Sequence, residues 1–297
     1  MAVLHRMFAP GASFQRRFFF LAKRFVAGET LDDAIAAVRT LNAAGMSATL
    51  DFLGEDVLER ETALATRDMY LRVLDAIRAS GADSNVSVKL TALGLLIDES
   101  FCMDNLLRIL EHAQRNPDPF VRIDMESSAV TQKTLDVFER AFARHRNVGI
   151  VLQAYLKRTP RDVDRAIELG ARVRLCKGAY NEPPEIAYKE MSEIRREYLA
   201  LAKRLLTRGN YPALATHDPI LIEALKGFVE REEIGHDRFE FQMLYGVRPA
   251  MQRQLVADGY RLRIYVPFGT HWAGYFYRRI MERRENALFA LSSIFSR

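Results

Sequence analysis

Arg172-Val173-Arg174-Leu175-Cys176-Lys177-Gly178-Ala179-Tyr180, followed by Asn181-Glu182-Pro183-Pro184, is the stretch around which the chain is organised. Strand alternation puts Val173 and Leu175 on one face and Arg172, Arg174 and Cys176 on the other. A guanidinium in mid-strand is costly unless it is paired or acts on something. Lys177-Gly178-Ala179 lets the backbone come close to a bound group, because Gly and Ala carry little side chain. The Pro pair predicts a helix start with fixed φ and no wasted N–H donors. A basic strand end, a small-residue turn and a helix start would form an anion site; the plainer alternative is a surface strand with exposed ion pairs.

Working outward, short β-branched runs alternate with long amphipathic stretches from residue 46 onward. The predicted strands are Ser47 to Leu53, Asn85 to Leu93, Phe120 to Glu126, Val148 to Tyr155, Arg172 to Ala179, Pro212 to Thr216, Phe239 to Gly246 and Arg261 to Val266. Helical patterns lie between them, among them Asp56 to Ser80, Thr131 to Arg144, Ile186 to Arg208 and Pro219 to Arg231. Eight βα units argue for a parallel sheet closed as a (βα)8 TIM-type barrel. An open doubly wound sheet is disfavoured, since no strand is followed by GxGxxG or GxxxxGK[ST].

The strand parity facing away from the helices strengthens the barrel reading. It collects Asp51, Ser87, Lys89, Thr91, Asp124, Glu126, Gln153, Arg174, His217, Glu240, Gln242, Arg263 and Tyr265. An inert parallel sheet is apolar on both faces; polar groups near the carboxyl ends are what a site at a barrel mouth requires. Singly each has a bland reading, Asp51 and Lys89 as a buried ion pair or His217 as a core histidine.

A chain of 297 residues is long for an ordinary domain but suits one α/β barrel, usually about 250 residues. Its hydrophobic content of 49% supports a large core, and 27% charge is ordinary for a globular protein, against disorder. Cys102 and Cys176 fit no CxxC pattern, so neither a disulfide framework nor a metal site is expected, and a reducing compartment fits. A net charge of +5 permits anionic ligands or an anionic membrane surface without identifying either.

Residues 1–45 read as an N-terminal helical arm and 46–297 as the barrel domain. The first 24 residues hold Arg6, Arg16, Arg17, Lys23 and Arg24 and no acid, with Phe14, Phe18, Leu21 and Phe25 at helical spacing. The apolar run is too short to span a bilayer; a membrane-surface helix, a transit peptide and a docked helix stay open. A helix follows over residues 30 to 44, capped by Thr30 and ended by Gly45. At the other end, Tyr275, Arg278, Arg279 and Glu282 form one helical stripe. Two guanidiniums on one stripe suit bidentate recognition of a carboxylate or phosphate, whereas Arg283 and Arg284 read as a solvated face.

VSVKLTALG (86–94), RIDME (122–126), LQAYLKR (152–158), RLCKGAY (174–180), ATHD (215–218), FEFQMLYG (239–246), RIYVPFGTH (263–271) and YRRIMERREN (277–286) together resemble the proline dehydrogenase family, and FVAGET (25–30) resembles its monofunctional bacterial members. The resemblance runs in order over about nine-tenths of the chain. It implies an FAD-bearing barrel, with a C-terminal helix closing the site, that oxidises L-proline to 1-pyrroline-5-carboxylate and passes electrons to a membrane quinone, the first step of proline degradation to glutamate. No aldehyde dehydrogenase domain follows, so the stand-alone enzyme is expected. Tyr245 stands where some relatives have His, and Cys176 where Val is frequent.

The resemblance assigns catalysis to Asp124 and Arg174, with Arg174 near flavin N5, and an ordering ion pair to Lys89 and Asp124. It places Met125, Gln153, Lys177, Gly178, Ala179, Thr216, His217 and Glu282 around FAD. Arg278 and Arg279 would clamp the proline carboxylate, and Tyr265, Tyr275, Tyr180 and Leu244 would wall the ring. It further implies a cytoplasmic location with peripheral membrane contact as an option, no nucleic acid partner, and an open oligomeric state. Two other readings remain open on the residues alone: a Schiff-base lyase with Lys89 as nucleophile, and a basic module binding anions or membranes.

Overall fold

The computed structural model describes residues 22–276. The strands β1 (Ser47–Phe52), β2 (Ser84–Val88), β3 (Val121–Ile123), β4 (Val148–Gln153), β5 (Val173–Cys176), β6 (Ala213–Ala215), β7 (Glu240–Leu244) and β8 (Leu262–Phe268) form a closed barrel in sequence order. All neighbours are parallel, and β8 closes on β1 from Ser47↔Arg263 to Phe52↔Phe268. The helices are α1 (Leu31–Ala43), α2 (Arg60–Ser80), α3 (Glu99–Ala113), α4 (Ser128–Arg144), α5 (Thr159–Leu169), α6 (Met191–Arg208), α7 (Pro219–Arg231) and α8 (Pro249–Ala257). This is the TIM-type barrel expected.

Local chemistry accounts for the helix ends. Thr30 caps α1 in a reciprocal capping box with Asp33. Asp218 accepts from the Ile220 amide at the start of α7, where Pro219 occupies a position whose N–H would be unpaired anyway. Gly81 and Gly170 end α2 and α5 in the left-handed conformation.

Several strands stop short of their predicted carboxyl ends. The second gives way to a 3-10 turn at Thr91–Leu93, and the third and fifth end at Ile123 and Cys176. Their last predicted residues turn out of the ladder into the barrel mouth. The expected helix start at Pro183-Pro184 is not observed: the Pro183 carbonyl accepts from Ile186 and Ala187 in a turn. The chain then bridges Leu156 through Ala187, and α6 begins only at Met191. The helix start expected to complete an anion site beside the small-residue turn is therefore missing from this stretch, while the basic strand end and the glycine turn are present.

Outward-facing strand residues such as Leu50, Val86, Ile150, Val173, Leu175, Phe241 and Ile264 join the helices in one core, which includes Ala34 and Val38 of α1. A second cluster joins Ala22, Phe25 and Val26 to Leu53, Trp272, Ala273 and Tyr275. The chain before α1 is also tied to β8, through the Ala27 amide to the Pro267 carbonyl at 2.9 Å, and to Trp272 through Glu29 at 3.1 Å.

The amino-terminal end of the barrel is filled by cations and their acceptors rather than by the branched aliphatic layers common in this fold. Arg122 donates to the carbonyls of Arg172 at 2.6 Å and Ile150 at 3.2 Å, and the Arg122 and Arg172 guanidiniums both lie over Phe120. Arg263 pairs with Glu240 at 3.1 Å and donates to the Ala48 carbonyl at 2.7 Å. Burial alone would raise Glu240; Arg263, Gln242, Arg172 and Arg122 outweigh it and hold the carboxyl below its ordinary value.

Gly149 leaves the space this plug occupies. A Cβ there would stand 2.5 Å from the Arg172 carbonyl oxygen, 2.5 Å from the Phe120 ring and 2.8 Å from Arg122 Nη1. Gly149→Ala is expected to destabilise the barrel by about 1–3 kcal/mol through overpacking. Urea unfolding monitored by far-UV circular dichroism checks this, and an unchanged midpoint contradicts it.

Candidate active site

Two buried ion pairs cross the barrel just below its mouth. Lys89, one residue past β2, places Nζ 2.8 and 2.9 Å from the two oxygens of Asp51 on β1. Arg174 on β5 spans two partners, Asp124 Oδ1 at 2.7 Å and Ser87 Oγ at 3.0 Å. The other oxygen of Asp124 accepts from the Tyr265 hydroxyl at 2.8 Å, and the Arg174 guanidinium lies 5.4 Å from the Tyr265 ring centre.

Lys89 and Asp51 form the buried ion pair that is their bland reading, while the Lys89–Asp124 pair implied by the resemblance is not formed: Asp124 is held by Arg174 and Tyr265. The β1–β2 register sets Asp51 opposite Ser87, two residues before Lys89, so the flexible lysine stem reaches both carboxylate oxygens. The planar guanidinium instead fits the gap between Asp124 and Ser87. Burial would lower Lys89, but the Asp51 and Asp124 carboxylates outweigh it and keep the ammonium charged well above neutrality. Burial, then Asp124 and Asp51, push the Tyr265 phenol well above its ordinary value, so it remains a donor.

Above this layer the mouth is laced strand to strand. Gln153 donates to the Glu126 carbonyl at 2.9 Å, connecting the ends of β4 and β3. Lys177 is not directed at open space: it pairs with Asp218 at 2.6 Å, and Asp218 also holds Arg195 of α6 at 2.8 Å. The His217 Nε2 accepts from the Leu244 amide at 2.8 Å, which places the proton of a neutral ring on Nδ1. Thr216 accepts from the Asp218 amide at 3.1 Å. Gly178 has φ +123°, and a Cβ there would stand 2.3 Å from the Tyr155 ring, so only glycine fits without displacement. Met125 is buried, Ala179 is exposed, and Leu244 and Tyr265 are half-buried at the rim.

Tyr275 is buried beside Tyr265 in the cluster that includes Trp272 and Phe25. Arg278, Arg279 and Glu282 lie outside the described residues, as does the N-terminal stripe of Phe14, Phe18 and Leu21. Several participants had no assigned role. Ser87 and Asp218 were in quoted motifs, and their parity or helix-capping position was the available signal. Tyr70 had none: it sits in an ordinary amphipathic helix, yet its hydroxyl donates to the Ser87 carbonyl at 2.7 Å and accepts from the Phe52 amide at 3.2 Å.

A sequence-family model described as proline dehydrogenase matches residues 34–291. The chain is 39% identical over 273 residues to proline dehydrogenase 2 of Bacillus subtilis strain 168, covering 92% of this chain and 90% of that protein. It is 38% identical over 285 residues to proline dehydrogenase of Deinococcus radiodurans, covering 94% and 92%. Among solved structures, proline utilization A from Bdellovibrio bacteriovorus inactivated by N-propargylglycine superposes with a TM-score of 0.84 at 28% identity, over 91% of this chain and 33% of that one.

Removing the lysine of the first pair would strand a wholly buried carboxylate. Lys89→Met is expected to cost about 3–5 kcal/mol at neutral pH. An unpaired Asp51 has a folded-state pKa above its unfolded value, so its stabilising contribution is present at low pH and lost as pH rises. The deficit should therefore shrink as pH falls toward about 5. Urea unfolding of both proteins over that range measures it; a pH-independent deficit would show that Asp51 is not the stranded group.

Proposed function

Because this chain belongs to the proline dehydrogenase family, we propose that it oxidises L-proline to 1-pyrroline-5-carboxylate at the barrel mouth, with FAD as hydride acceptor and a membrane quinone receiving the electrons. The observation that carries this reading is the buried Asp51–Lys89 and Asp124–Arg174–Tyr265 layer just below the barrel mouth. The residues present fit a flavin: the buried Nε of Arg174 has no acceptor among the described residues. Gln153 at the end of β4 and Thr216 and His217 just past β6 lie at the same carboxyl-terminal end of the barrel and would line the cofactor.

When bound, FAD would supply the acceptor for the hydride leaving the proline ring carbon next to nitrogen. The chain's own residues position the substrate and compensate charge. Arg278 and Arg279 would grip the carboxylate with planar donor pairs. Tyr265, Tyr275 and Leu244 would hold the ring flat, with Tyr265 fixed by its bond to Asp124. Arg174, itself held by Asp124 and Ser87, would present Nε where negative charge gathers during transfer. Lys89 would act through its fixed charge. A Schiff-base role needs a neutral amine, and the pairing with Asp51 argues against one.

Among the described residues no helix is long and apolar enough to cross a membrane. The acid-free N-terminal stripe of Phe14, Phe18 and Leu21, outside the described residues, is the proposed contact with a membrane quinone.

The visible spectrum of the purified protein tests the reaction: flavin bands that bleach on adding L-proline support it, and a colourless protein or unresponsive bands overturn it. Arg174→Met is expected to make the flavin potential more negative and to slow reduction by proline about a hundredfold, because a cation beside the ring favours the reduced anion. A non-reducible carboxylate analogue of proline should still bind within several-fold of wild type. An unmoved potential with collapsed analogue binding would instead place Arg174 in the substrate clamp.

A further inference from the structure

Glu126 sits just beyond β3 and takes no part in the two ion pairs, yet it is buried and fully engaged. It accepts from the Thr91 amide at 3.2 Å and, through its other oxygen, from the Thr91 hydroxyl. Thr91 is buried in the 3-10 turn two residues after Lys89. With its single proton committed to Glu126, the hydroxyl oxygen accepts from the Asp56 amide at 2.9 Å, and the Thr91 carbonyl accepts from the Val57 amide at 3.2 Å.

Asp56 is a non-glycine residue at φ +56°, a conformation that persists only where surrounding contacts impose it. The loop it belongs to connects β1 to α2 directly after the strand carrying Asp51. Its Glu55 lies within electrostatic reach of both Lys89 and Glu126. The hydrogen bonds thus run in one direction, from a loop at the rim, through a threonine, to a carboxylate at the end of the third strand.

We propose that Glu126 is a positioning residue: through Thr91 it holds the β1–α2 loop in its strained turn over the substrate pocket and so sets the affinity for substrate. This rests on the barrel mouth being the proline site. The polarity of the relay depends on Glu126 being ionised. A protonated carboxyl brings a second hydrogen to the Glu126–Thr91 contact, one of the two is left without an acceptor, and the acceptor geometry toward Asp56 is disturbed. The charged and titratable groups around Glu126 are Lys89 at the end of β2, Glu55 in the loop after β1 and Cys102 of α3. Burial raises Glu126 to about 7, against the lowering effect of the Thr91 hydrogen bonds, so the relay titrates within the working range.

The test uses the holoenzyme with Thr91→Val, Glu126→Gln and the hydroxyl-retaining Thr91→Ser. At about pH 8, KM for L-proline should rise about tenfold in the first two variants, kcat staying within about threefold, while Thr91→Ser stays near wild type. The ratio of variant to wild-type KM cancels the titration of proline itself, and it should fall toward one by about pH 6, where wild-type Glu126 is protonated. A group with a raised folded-state pKa contributes stability below its unfolded pKa that is lost as pH rises through about 7. Glu126→Gln should therefore melt no lower than wild type at about pH 8 despite its higher KM. A KM ratio that stays constant with pH, or a KM increase that appears only with a lower melting temperature, overturns the proposal. Amide exchange at Asp56 and Val57 needs no substrate: protection there should drop about tenfold in Thr91→Val with the strands unchanged, and unaltered protection overturns the relay even if proline proves not to be the substrate.

Discussion

Everything inside this barrel depends on charge being neutralised among buried side chains. An isolated ammonium or guanidinium there would be expelled, so among the described residues the buried Lys89, Arg122, Arg174 and Arg263 each have a carboxylate or a set of carbonyls assigned to them. Lys89 has Asp51, Arg174 has Asp124, and Arg263 has Glu240. Arg122 has no carboxylate in contact among the described residues and relies on two main-chain carbonyls and the face of Phe120. These assignments fix side chains from β1, β2, β3, β5, β7 and β8 relative to one another without requiring any apolar layer to do so.

The same constraint makes the site rigid before any ligand arrives. Tyr265 reaches Asp124 and Asp124 reaches Arg174, which reaches Ser87; the Ser87 carbonyl in turn receives Tyr70. Such a chain leaves few side-chain rotations free, so orientation is settled at folding rather than at binding. The rim above is different in kind. Beside the Lys177–Asp218–Arg195 ion pairs, its links are single hydrogen bonds from strand ends to the residues that follow neighbouring strands, Gln153 to Glu126 and Leu244 to His217, and these can open without exposing an unpaired interior charge.

The barrel was legible because the side-chain period of a strand is two, so parity alone separates the helix-facing Val173 and Leu175 from the inward Arg174. The same parity puts Asp51, Lys89, Asp124, Arg174 and Tyr265 together on the inward side. The Asp51–Lys89 pair was one of the readings open to the sequence, but the choice between Asp51 and Asp124 as the partner of Lys89 was not legible, because this depends on the stagger between neighbouring strands and on stem length. Asp51 facing Ser87 rather than Lys89 is a matter of register, and residue type carries no record of it. Pro183-Pro184 misled for a related reason: proline suits a turn as well as a first helical turn, and the choice was made by Ala187 pairing with distant Leu156.

The seam between β1 and β8 has a consequence for the newborn chain. Arg263 donates to the Ala48 carbonyl across 215 residues of sequence, and the strand that seals the sheet is the last to be made. At a ribosomal rate of about 5–20 residues per second, β1 waits roughly 10–40 s with one edge unpaired. During that interval Leu50 and its neighbours present an open template to any other chain. Crowding on a polysome is therefore the circumstance in which this protein is most exposed to aggregation, and a slower unfolding rate of the finished barrel would do nothing to protect it.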